Sequence, residues 1–184
     1  MELVKPSLAH LESYAAALRA GWSPDNVRGR SAAIEQRVAI EANPAAFLAG
    51  LWDLEGLGPP VRLPDGSLAE RLPGYVLWIW DGAFCGSIGF RWRPGTSALP
   101  EHVLGHVGYA VVPWKQRRGY ATRALAELLP RCRAQGLDHI DLTTTPDNLP
   151  SQRVILANGG KLVGRFAKPA AYGGEEGLLY RIRL

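Results

Sequence analysis

The chain has 184 residues, 47% hydrophobic and 21% charged, the composition of an ordinary soluble globular protein with a single core. Its formal charge is only +4 and no basic tract occurs, so no nucleic-acid partner is expected, with a basic nucleic-acid binder as a minor alternative. No apolar run reaches membrane-spanning length and the first residues lack a secretory signal pattern, so we expect a cytoplasmic protein without a membrane partner.

The N-terminal part predicts a short edge strand followed by helices. The strand is expected over residues 2–6, and Ser7 is a candidate N-cap for the first helix. A second helix is predicted over residues 31–41, with Ile34 and Val38 on one face.

A third helix is expected to begin at Asn43 and Pro44, a capping side chain followed by proline in the first turn. Residues 56–74 are rich in proline and glycine and predict a long loop, or an arm with little regular structure. Loops of this length in a compact domain are usually functional or mobile.

The strongest strand prediction covers residues 75–80. Asp81 and Gly82 follow at once and form a strong hairpin signal, with a return strand over residues 83–92. The return strand contains Cys85, which we interpret as a small core residue because the chain has too few cysteines for a disulfide framework or a cysteine zinc site. No metal is expected.

The central stretch, residues 105–122, predicts a strand that meets Pro113 and then a basic segment that opens a helix. The first N–H groups of a helix lack internal partners and lie at the positive end of its dipole, so they attract anions. Gly119 allows close backbone approach, and Arg117 and Arg118 add charges suited to phosphate. A solvated basic loop at a helix start is the alternative.

The remaining signals are a strand over residues 139–145, a short helix capped by Asp147 or Asn148, and closing strands over residues 161–166 and 177–183. This element order predicts an α/β (α+β) fold. We expect a mixed, mostly antiparallel central sheet of about six or seven strands, flanked by helices on both faces.

The motifs of the central stretch resemble those of the GNAT N-acetyltransferase superfamily. Residues 116–121 match its Gln/Arg-x-x-Gly-x-Gly/Ala acyl-CoA motif, and residues 108–113 look like the strand that precedes it. Residues 148–160 are similar to its second signature, an Asn, then a Ser or Ala three residues on, then a glycine-ended helix. The resemblance covers residues 75–184 well and the N-terminal third only in outline.

The resemblance implies a GNAT-like fold that uses acetyl-CoA as co-substrate. Val111 and Val112 would pair through their backbone with the pantetheine arm, and the N–H groups of residues 117–122 would hold the pyrophosphate. Asn148 and Ser151 would lie beside the pantetheine or the thiol, with helix capping alone as the alternative. The expected coenzyme-binding residues are therefore Ala110, Val111, Val112, Gln116, Arg117, Arg118, Gly119, Tyr120, Ala121, Thr122, Asn148 and Ser151.

Acetyl transfer to an amine requires a proton acceptor, which the family often places on the strand before the acyl-CoA motif. His106 occupies that region, and an imidazole with an ordinary pKa of about 6.5 can serve near neutrality. A hydrogen-bonded structural histidine is the alternative. Glu101 and His102 are weaker candidates just upstream.

The residue that protonates the leaving thiolate is in doubt, because the family's usual tyrosine position is Ile155 here. Tyr172, Tyr180 or water could substitute, and Tyr109 could be a plain core residue. We predict His106, Ser151 and Tyr172 as the catalytic residues.

We therefore expect one domain, residues 1–184, that acetylates a primary amine of a small molecule, amino acid or peptide by direct attack in a ternary complex. Residues 1–74 would supply the acceptor side, with Trp22, Trp52 and the long loop shaping its pocket. A non-enzymatic acyl-CoA-binding module is the alternative, and a homodimer is left open.

Overall fold

The computed structural model describes residues 1–184 as five helices and two main antiparallel sheets. The helices are α1 (Leu8–Arg19), α2 (Arg30–Ala42), α3 (Pro44–Gly50), α4 (Tyr120–Ala134) and α5 (Leu149–Ala157). The strands are β1 (Glu2–Val4), β2 (Trp52–Asp53), β3 (Val61–Arg62), β4 (Leu68–Ala69), β5 (Gly74–Trp80), β6 (Phe84–Arg91), β7 (Val107–Val111), β8 (His139–Thr144), β9 (Lys161–Ala167) and β10 (Glu176–Arg183). None of the helices has the length and hydropathy that crossing a membrane requires.

The first sheet has the order β1-β5-β6-β7, with β2 also paired to β5, and the second has the order β8-β10-β9. Every pairing is antiparallel, which confirms the predicted fold class. The expected continuous sheet is divided, because β7 and β8 are neighbours without a ladder between them. The backbone hydrogen bond from His106 N–H to the Asp141 carbonyl, 2.8 Å, joins them at one end. We call the opening between β7 and β8 the fork.

Helices cover both faces of the first sheet, as expected, because its central strands are apolar on both sides. Leu77 and Ile79 of β5 pack in one cluster with Leu125 and Leu128 of α4. The alternate residue Trp78 faces the other way, toward α1 and α2.

The packing of α2 differs from its predicted face. Ile34 and Val38 are 48% and 59% exposed, whereas Ala32, Ala33 and Ile40 are buried. The helix therefore packs toward the sheet through Ala33 and Ile40, a face that the spacing of Ile34 and Val38 did not indicate.

Residues 56–74 are more ordered than predicted, because they contain the β3–β4 hairpin. At their start the Asp53 carboxylate accepts hydrogen bonds from the N–H groups of Gly56, Leu57 and Gly58 at 2.9, 3.1 and 2.9 Å. These bonds, that of Gly58 foremost, lower the pKa of Asp53. One carboxylate thus organises the entry to the predicted loop.

Candidate active site

The turn from β7 into α4 carries a run of unpaired donors. Arg117 has φ +58°, the only positive value at a non-glycine residue, and Gly119 has φ +74°. None of the backbone N–H groups of residues 117–122 donates to an acceptor in the protein. Six consecutive donors without acceptors, at the positive end of the α4 dipole, form an anion site.

The β5–β6 turn contacts the segment between β7 and α4 through the Asp81 carboxylate, which binds Lys115 and Tyr120. Lys115 Nζ donates to Asp81 Oδ1 and Oδ2 at 2.9 and 2.8 Å, and the Tyr120 hydroxyl donates to Asp81 Oδ2. The hydrogen bond from Lys115, and then that from Tyr120, hold the pKa of Asp81 far below its usual range. The carboxylate is therefore ionised and can fix the segment at neutral pH.

A cavity of about 690 Å³, the loop cavity, lies against this segment. It brings together ten of the twelve predicted coenzyme-binding residues: Ala110, Val111, Gln116, Arg117, Gly119, Tyr120, Ala121, Thr122, Asn148 and Ser151. Arg118 does not line the cavity, although its N–H belongs to the unpaired run. Val112 is fully buried outside it.

The position of Val112 follows from the alternation of an antiparallel ladder. Its N–H donates to the Cys85 carbonyl at 2.9 Å, so its backbone is committed to β6 rather than to a pantetheine arm. Backbone groups alternate sides along the strand, so those of Tyr109 and Val111 face the fork. The Gln116 side chain donates to the Val111 carbonyl at 3.3 Å, and the Val111 N–H still faces the fork.

A second cavity of about 510 Å³, the fork cavity, lies between β7 and β8. A third space, the sheet-face cavity, covers the α1–α2 side of β5, β6 and β7 and consists of two volumes of about 440 and 490 Å³ that share lining residues. Tyr109 lines the loop cavity, the fork cavity and the sheet-face cavity. The three spaces therefore meet around this tyrosine.

Tyr109 and Ser151 form a hydroxyl pair at that junction. The Tyr109 hydroxyl lies 2.9 Å from Ser151 Oγ and donates to the Ser151 carbonyl at 3.3 Å. Burial raises the pKa of Tyr109 to about 12, although the hydrogen bond with Ser151 opposes this. The Ser151 N–H donates to Asn148 Oδ1 at 3.1 Å, so Asn148 caps α5 and also lines the loop cavity.

His106 is not brought to this junction. Its side chain has no exposed surface, and it lines none of the three cavities. Its Nδ1 accepts the Asp141 N–H at 2.9 Å, Nε2 has no partner, and burial lowers its pKa to about 4. With Nδ1 occupied and the ring neutral at pH 7, the atom that could accept a proton has no access to a substrate. This placement corrects the predicted catalytic position of His106.

Tyr172 lines the fork and sheet-face cavities but not the loop cavity. Its hydroxyl donates to the His102 carbonyl at 2.8 Å, and burial raises its pKa. Tyr180 lies in the core, where its hydroxyl donates to Gln152 Oε1 at 3.2 Å. Ile155, buried in the wall of the fork cavity, stands where the resemblance placed a tyrosine.

Sequence reasoning missed two charged residues of the sheet-face cavity, Asp25 and Arg91. Asp25 is the only carboxylate that also lines the loop cavity, and its Oδ1 accepts the N–H groups of Val27 and Arg28, both at 2.8 Å. Arg91 ends β6 and has no hydrogen-bond or ion-pair partner for its side chain. The signal for Arg91 was present in the sequence, since it is the only charged residue in the predicted strand.

The two tryptophans predicted for the acceptor side separate. Trp22 is 6% exposed and lines the loop cavity. Trp52 stacks on Tyr75 at 4.7 Å between ring centroids, with Lys5 Nζ 4.3 Å from its own centroid, and lines none of the cavities. Trp52 therefore belongs to the packing of the sheet edge.

The known proteins that the chain resembles are acetyltransferases. The model of the acetyltransferase (GNAT) family matches residues 45–159, and no curated protein sequence matches the chain. Among solved structures, an acetyltransferase from Salmonella typhimurium that modifies the N-terminal serine of ribosomal protein L7/L12 is similar with TM-score 0.62 and 13% identity, covering 99% of this chain and 94% of that one. The microcin C7 self-immunity acetyltransferase MccE, solved with acetyl-CoA and AMP, gives TM-score 0.60 and 14% identity over 99% and 91% of the chains. A GNAT-family protein from Bordetella pertussis gives 0.58 and 21% over 97% and 93%. At these identities the structural likeness shows the fold.

Proposed function

The chain belongs to the GNAT family of acetyltransferases, and from that premise we propose that it transfers the acetyl group of acetyl-CoA to a primary amine. The acceptor is a small molecule, an amino acid or a peptide N terminus. The Salmonella neighbour is named for acetylation of an N-terminal serine, which is this chemistry on a peptide amine.

The observation that carries the proposal is the run of six unpaired N–H groups beside a cavity that reaches the fork. Such a run suits a pyrophosphate, because several N–H groups can donate to its oxygens at once without moving. The outward N–H of Val111 is free to pair with an extended arm, as a neighbouring strand would. Bound acetyl-CoA supplies the thioester that the amine attacks and the thiolate that leaves.

We assign the Tyr109 hydroxyl as the acid that protonates the leaving thiolate. Tyr109 lines all three cavities, its hydroxyl lies beside Ser151 of the loop and fork cavities, and its raised pKa keeps it protonated at neutral pH. Ser151 Oγ, 2.9 Å away, can donate to the tyrosine oxygen, and the phenolic proton, which donates to the Ser151 carbonyl at 3.3 Å, would transfer to the thiolate. This pair takes the place of the hydroxyl that is missing at Ile155.

We assign Asp25 as the proton acceptor, directly or through water. It is the one carboxylate shared by the loop cavity and the sheet-face cavity, so an amine bound between the two would lie beside it. Two backbone N–H groups fix Oδ1 and leave Oδ2 for the amine. His106 instead acts as a structural link at the root of the fork, where its Nδ1 replaces a backbone carbonyl as acceptor for Asp141 N–H.

An amine panel tests the proposal. Purified protein is incubated with acetyl-CoA and amines, small-molecule amines, amino acids and short peptides among them, while thiol release is followed and the acetylated products are identified by mass spectrometry. We expect amine-dependent thiol release with at least one acceptor class, and a rise of Tm with acetyl-CoA. A protein that acetyl-CoA stabilises but that releases no thiol with any amine would contradict the assignment of the activity.

The Asp25 assignment has its own test. Asp25→Asn retains an oxygen for the Val27 and Arg28 N–H groups but cannot take a proton, so kcat should fall about 100-fold with little change in the KM for acetyl-CoA. The decrease should be smaller for acceptor amines of low pKa, which are already neutral at the assay pH. An unchanged kcat in Asp25→Asn would leave the proton to water.

A further inference from the structure

The sheet-face cavity carries opposite charges that are not paired with each other. Arg91 and Asp25 both line it, yet no ion pair joins them within 4.0 Å. Two other arginines of the same wall have carboxylate partners, Arg28 with Glu35 and Arg71 with Asp53. Arg62 and Glu70 also line the cavity without an ion pair. The charges of Arg91 and Asp25 are thus left available to a ligand.

The floor beneath Arg91 is built to leave space. Gly89 of β6 pairs with Gly108 of β7, so two adjacent positions on this face of the sheet lack side chains. A Cβ at Gly108 would lie 3.4 Å from Arg91 Nη2, which shows that the guanidinium lies over the Gly108 backbone. Arg91 therefore extends along the floor toward β7, the strand that carries Tyr109.

The guanidinium of Arg91 is charged, open to the cavity and without a partner. Arg91 is an exposed residue, and although the atoms packed around the guanidinium lower its pKa, with Tyr172 and Asp25 opposing this, water still reaches it. An arginine remains charged in any protein, so a ligand anion that enters the cavity can pair with it. A carboxylate offers two oxygens at the spacing of the guanidinium N–H groups and is the natural counter-anion.

We propose that the acceptor is an amine that also carries a carboxylate, an amino-acid-like zwitterion whose carboxylate binds Arg91 while its amine lies toward Asp25 and Tyr109. Arg91 is thus a specificity-determining residue of the sheet-face cavity. This inference rests on the proposed acetyltransferase function and narrows its acceptor class. Arg91 and Asp25 provide one positive and one negative anchor on a single cavity, which matches a zwitterion and leaves a plain alkylamine without its second contact.

Matched acceptors test the proposal. At saturating acetyl-CoA, kcat/KM is measured for α-amino acids and ω-amino acids of increasing chain length, each beside the amine that lacks the carboxylate. The kcat/KM of the best amino acid should exceed that of its matched amine by about 10- to 100-fold, which corresponds to one charge-assisted hydrogen-bonded contact. O-phosphoethanolamine is included, and a clear preference for it over the carboxylates would overturn the choice of anion.

Arg91→Gln should abolish the preference while leaving the KM for acetyl-CoA unchanged. Because Arg91 makes no hydrogen bond within the protein, the variant should fold, which a Tm measurement checks. Arg93→Gln is the matched control, since Arg93 is an exposed arginine two residues away that lines none of the cavities. Equal efficiency for acids and amines in the wild type, or a preference that survives Arg91→Gln, would overturn the proposal.

Calorimetry separates this inference from the function on which it rests. If no amine is acetylated, the function is wrong, but binding of the same amino acids to wild type and Arg91→Gln still decides the anion site. We expect binding in the wild type that weakens about 10- to 100-fold in Arg91→Gln and is unchanged in Arg93→Gln. Absence of binding to the wild type, or equal binding to Arg91→Gln, would remove the site itself.

Discussion

The two sides of the junction at Tyr109 are built in different ways. The proposed coenzyme side, formed by β7, α4 and α5, offers main-chain N–H groups of one continuous segment, residues 117–122. The proposed acceptor side, the sheet-face cavity, offers side chains from several separate elements, among them Asp25 of the α1–α2 connection and Arg91 at the end of β6. One side is thus specified locally and the other only by the tertiary fold.

This difference determines how freely the amino acids of each side can change. A backbone site tolerates most side chains, provided that the turn keeps its conformation, so the same grip suits many sequences. A side-chain site changes whenever one of its contributing residues changes, and it is therefore where acceptor specificity is set. Changes on the coenzyme side should alter the KM for acetyl-CoA with every acceptor, whereas changes on the acceptor side should discriminate between acceptors.

The largest effect is expected from a charge placed in the backbone site. A Cβ at Gly119 meets no atom within 4 Å, so Gly119→Glu projects a carboxylate into the open loop cavity and repels the pyrophosphate. With two charge-assisted hydrogen bonds lost at about 2 kcal/mol each, the KM for acetyl-CoA should rise about 1,000-fold. Steady-state kinetics at varied acetyl-CoA measures this.

Two controls isolate the charge. Gly119→Gln has the same size and the same strain at positive φ without the charge, and should raise the KM far less. Gly136→Glu, at φ +75° after the other end of α4, carries the same strain and charge away from the loop cavity. If the KM for acetyl-CoA were as high in Gly136→Glu as in Gly119→Glu, the increase would come from lost stability and not from repulsion at the anion site.

The next effect concerns His106 and separates a structural from a chemical role. Burial holds its pKa near 4, against an ordinary value of about 6.5, so the folded state binds fewer protons between these pH values. Its contribution is therefore fully present above pH 6.5 and is lost as the pH falls toward 4, by about 3 kcal/mol in total. His106→Asn keeps an acceptor for Asp141 N–H but does not titrate.

Urea unfolding at pH 7 and at pH 4 provides the measurement. The free energy of unfolding should fall about 3 kcal/mol less in His106→Asn than in the wild type over this interval. The kcat/KM profile should retain its shape in the variant. If His106→Asn lost the acidic limb of that profile, His106 would instead be a catalytic proton acceptor.

Most residues predicted for the coenzyme side come together in the structure because their signals are local. A proline after an alternating strand and a glycine before a helix fix the segment, and ten of the twelve expected residues line one cavity. Val112 was misplaced because the ladder alternation that turns its N–H to Cys85 depends on strand register, which sequence spacing does not give. His106 was misplaced for a similar reason, since only the contact between β7 and β8 shows that its ring is buried.

The acceptor side could not be predicted in the same way. Asp25 lies in a turn-rich break and Arg91 at a strand end, 66 residues apart in sequence, and only the packing of the α1–α2 segment over the sheet brings them to one cavity. The hairpin within residues 56–74 was likewise missed, because each of its strands has only two residues, too few to give an alternating pattern.

Tyr109→Phe tests the junction between the two sides. Removal of the hydroxyl should lower kcat about 100-fold, in the range of general acid catalysis, with the KM for acetyl-CoA little changed. Because the pKa of Tyr109 is about 12, the wild-type profile should show no basic limb from this group below about pH 10. Tyr180→Phe is the control, since its hydroxyl is also hydrogen-bonded but lies outside the cavities. Unchanged kcat in Tyr109→Phe would assign the proton to water or to Tyr172.

The smallest effect is expected where a side chain supports the backbone site from outside. Asp81→Asn removes the charge that Lys115 and Tyr120 contact. Because the lost contacts are a partly exposed ion pair and one hydrogen bond, the KM for acetyl-CoA should rise about 5-fold, and kcat should stay within about twofold of the wild-type value. Asp65→Asn, in the turn of the β3–β4 hairpin, is the control because its carboxylate bonds only to Ser67.

A double variant decides how Asp81 acts. If the carboxylate positions the segment through Lys115, then Lys115→Ala should add little to the effect of Asp81→Asn, because both remove the same contact. Additive effects would mean that Lys115 contacts the coenzyme independently. An Asp81→Asn effect as large as that of Gly119→Glu would show that the coenzyme side depends on side chains as much as the acceptor side does, and the contrast between the two sides would fail.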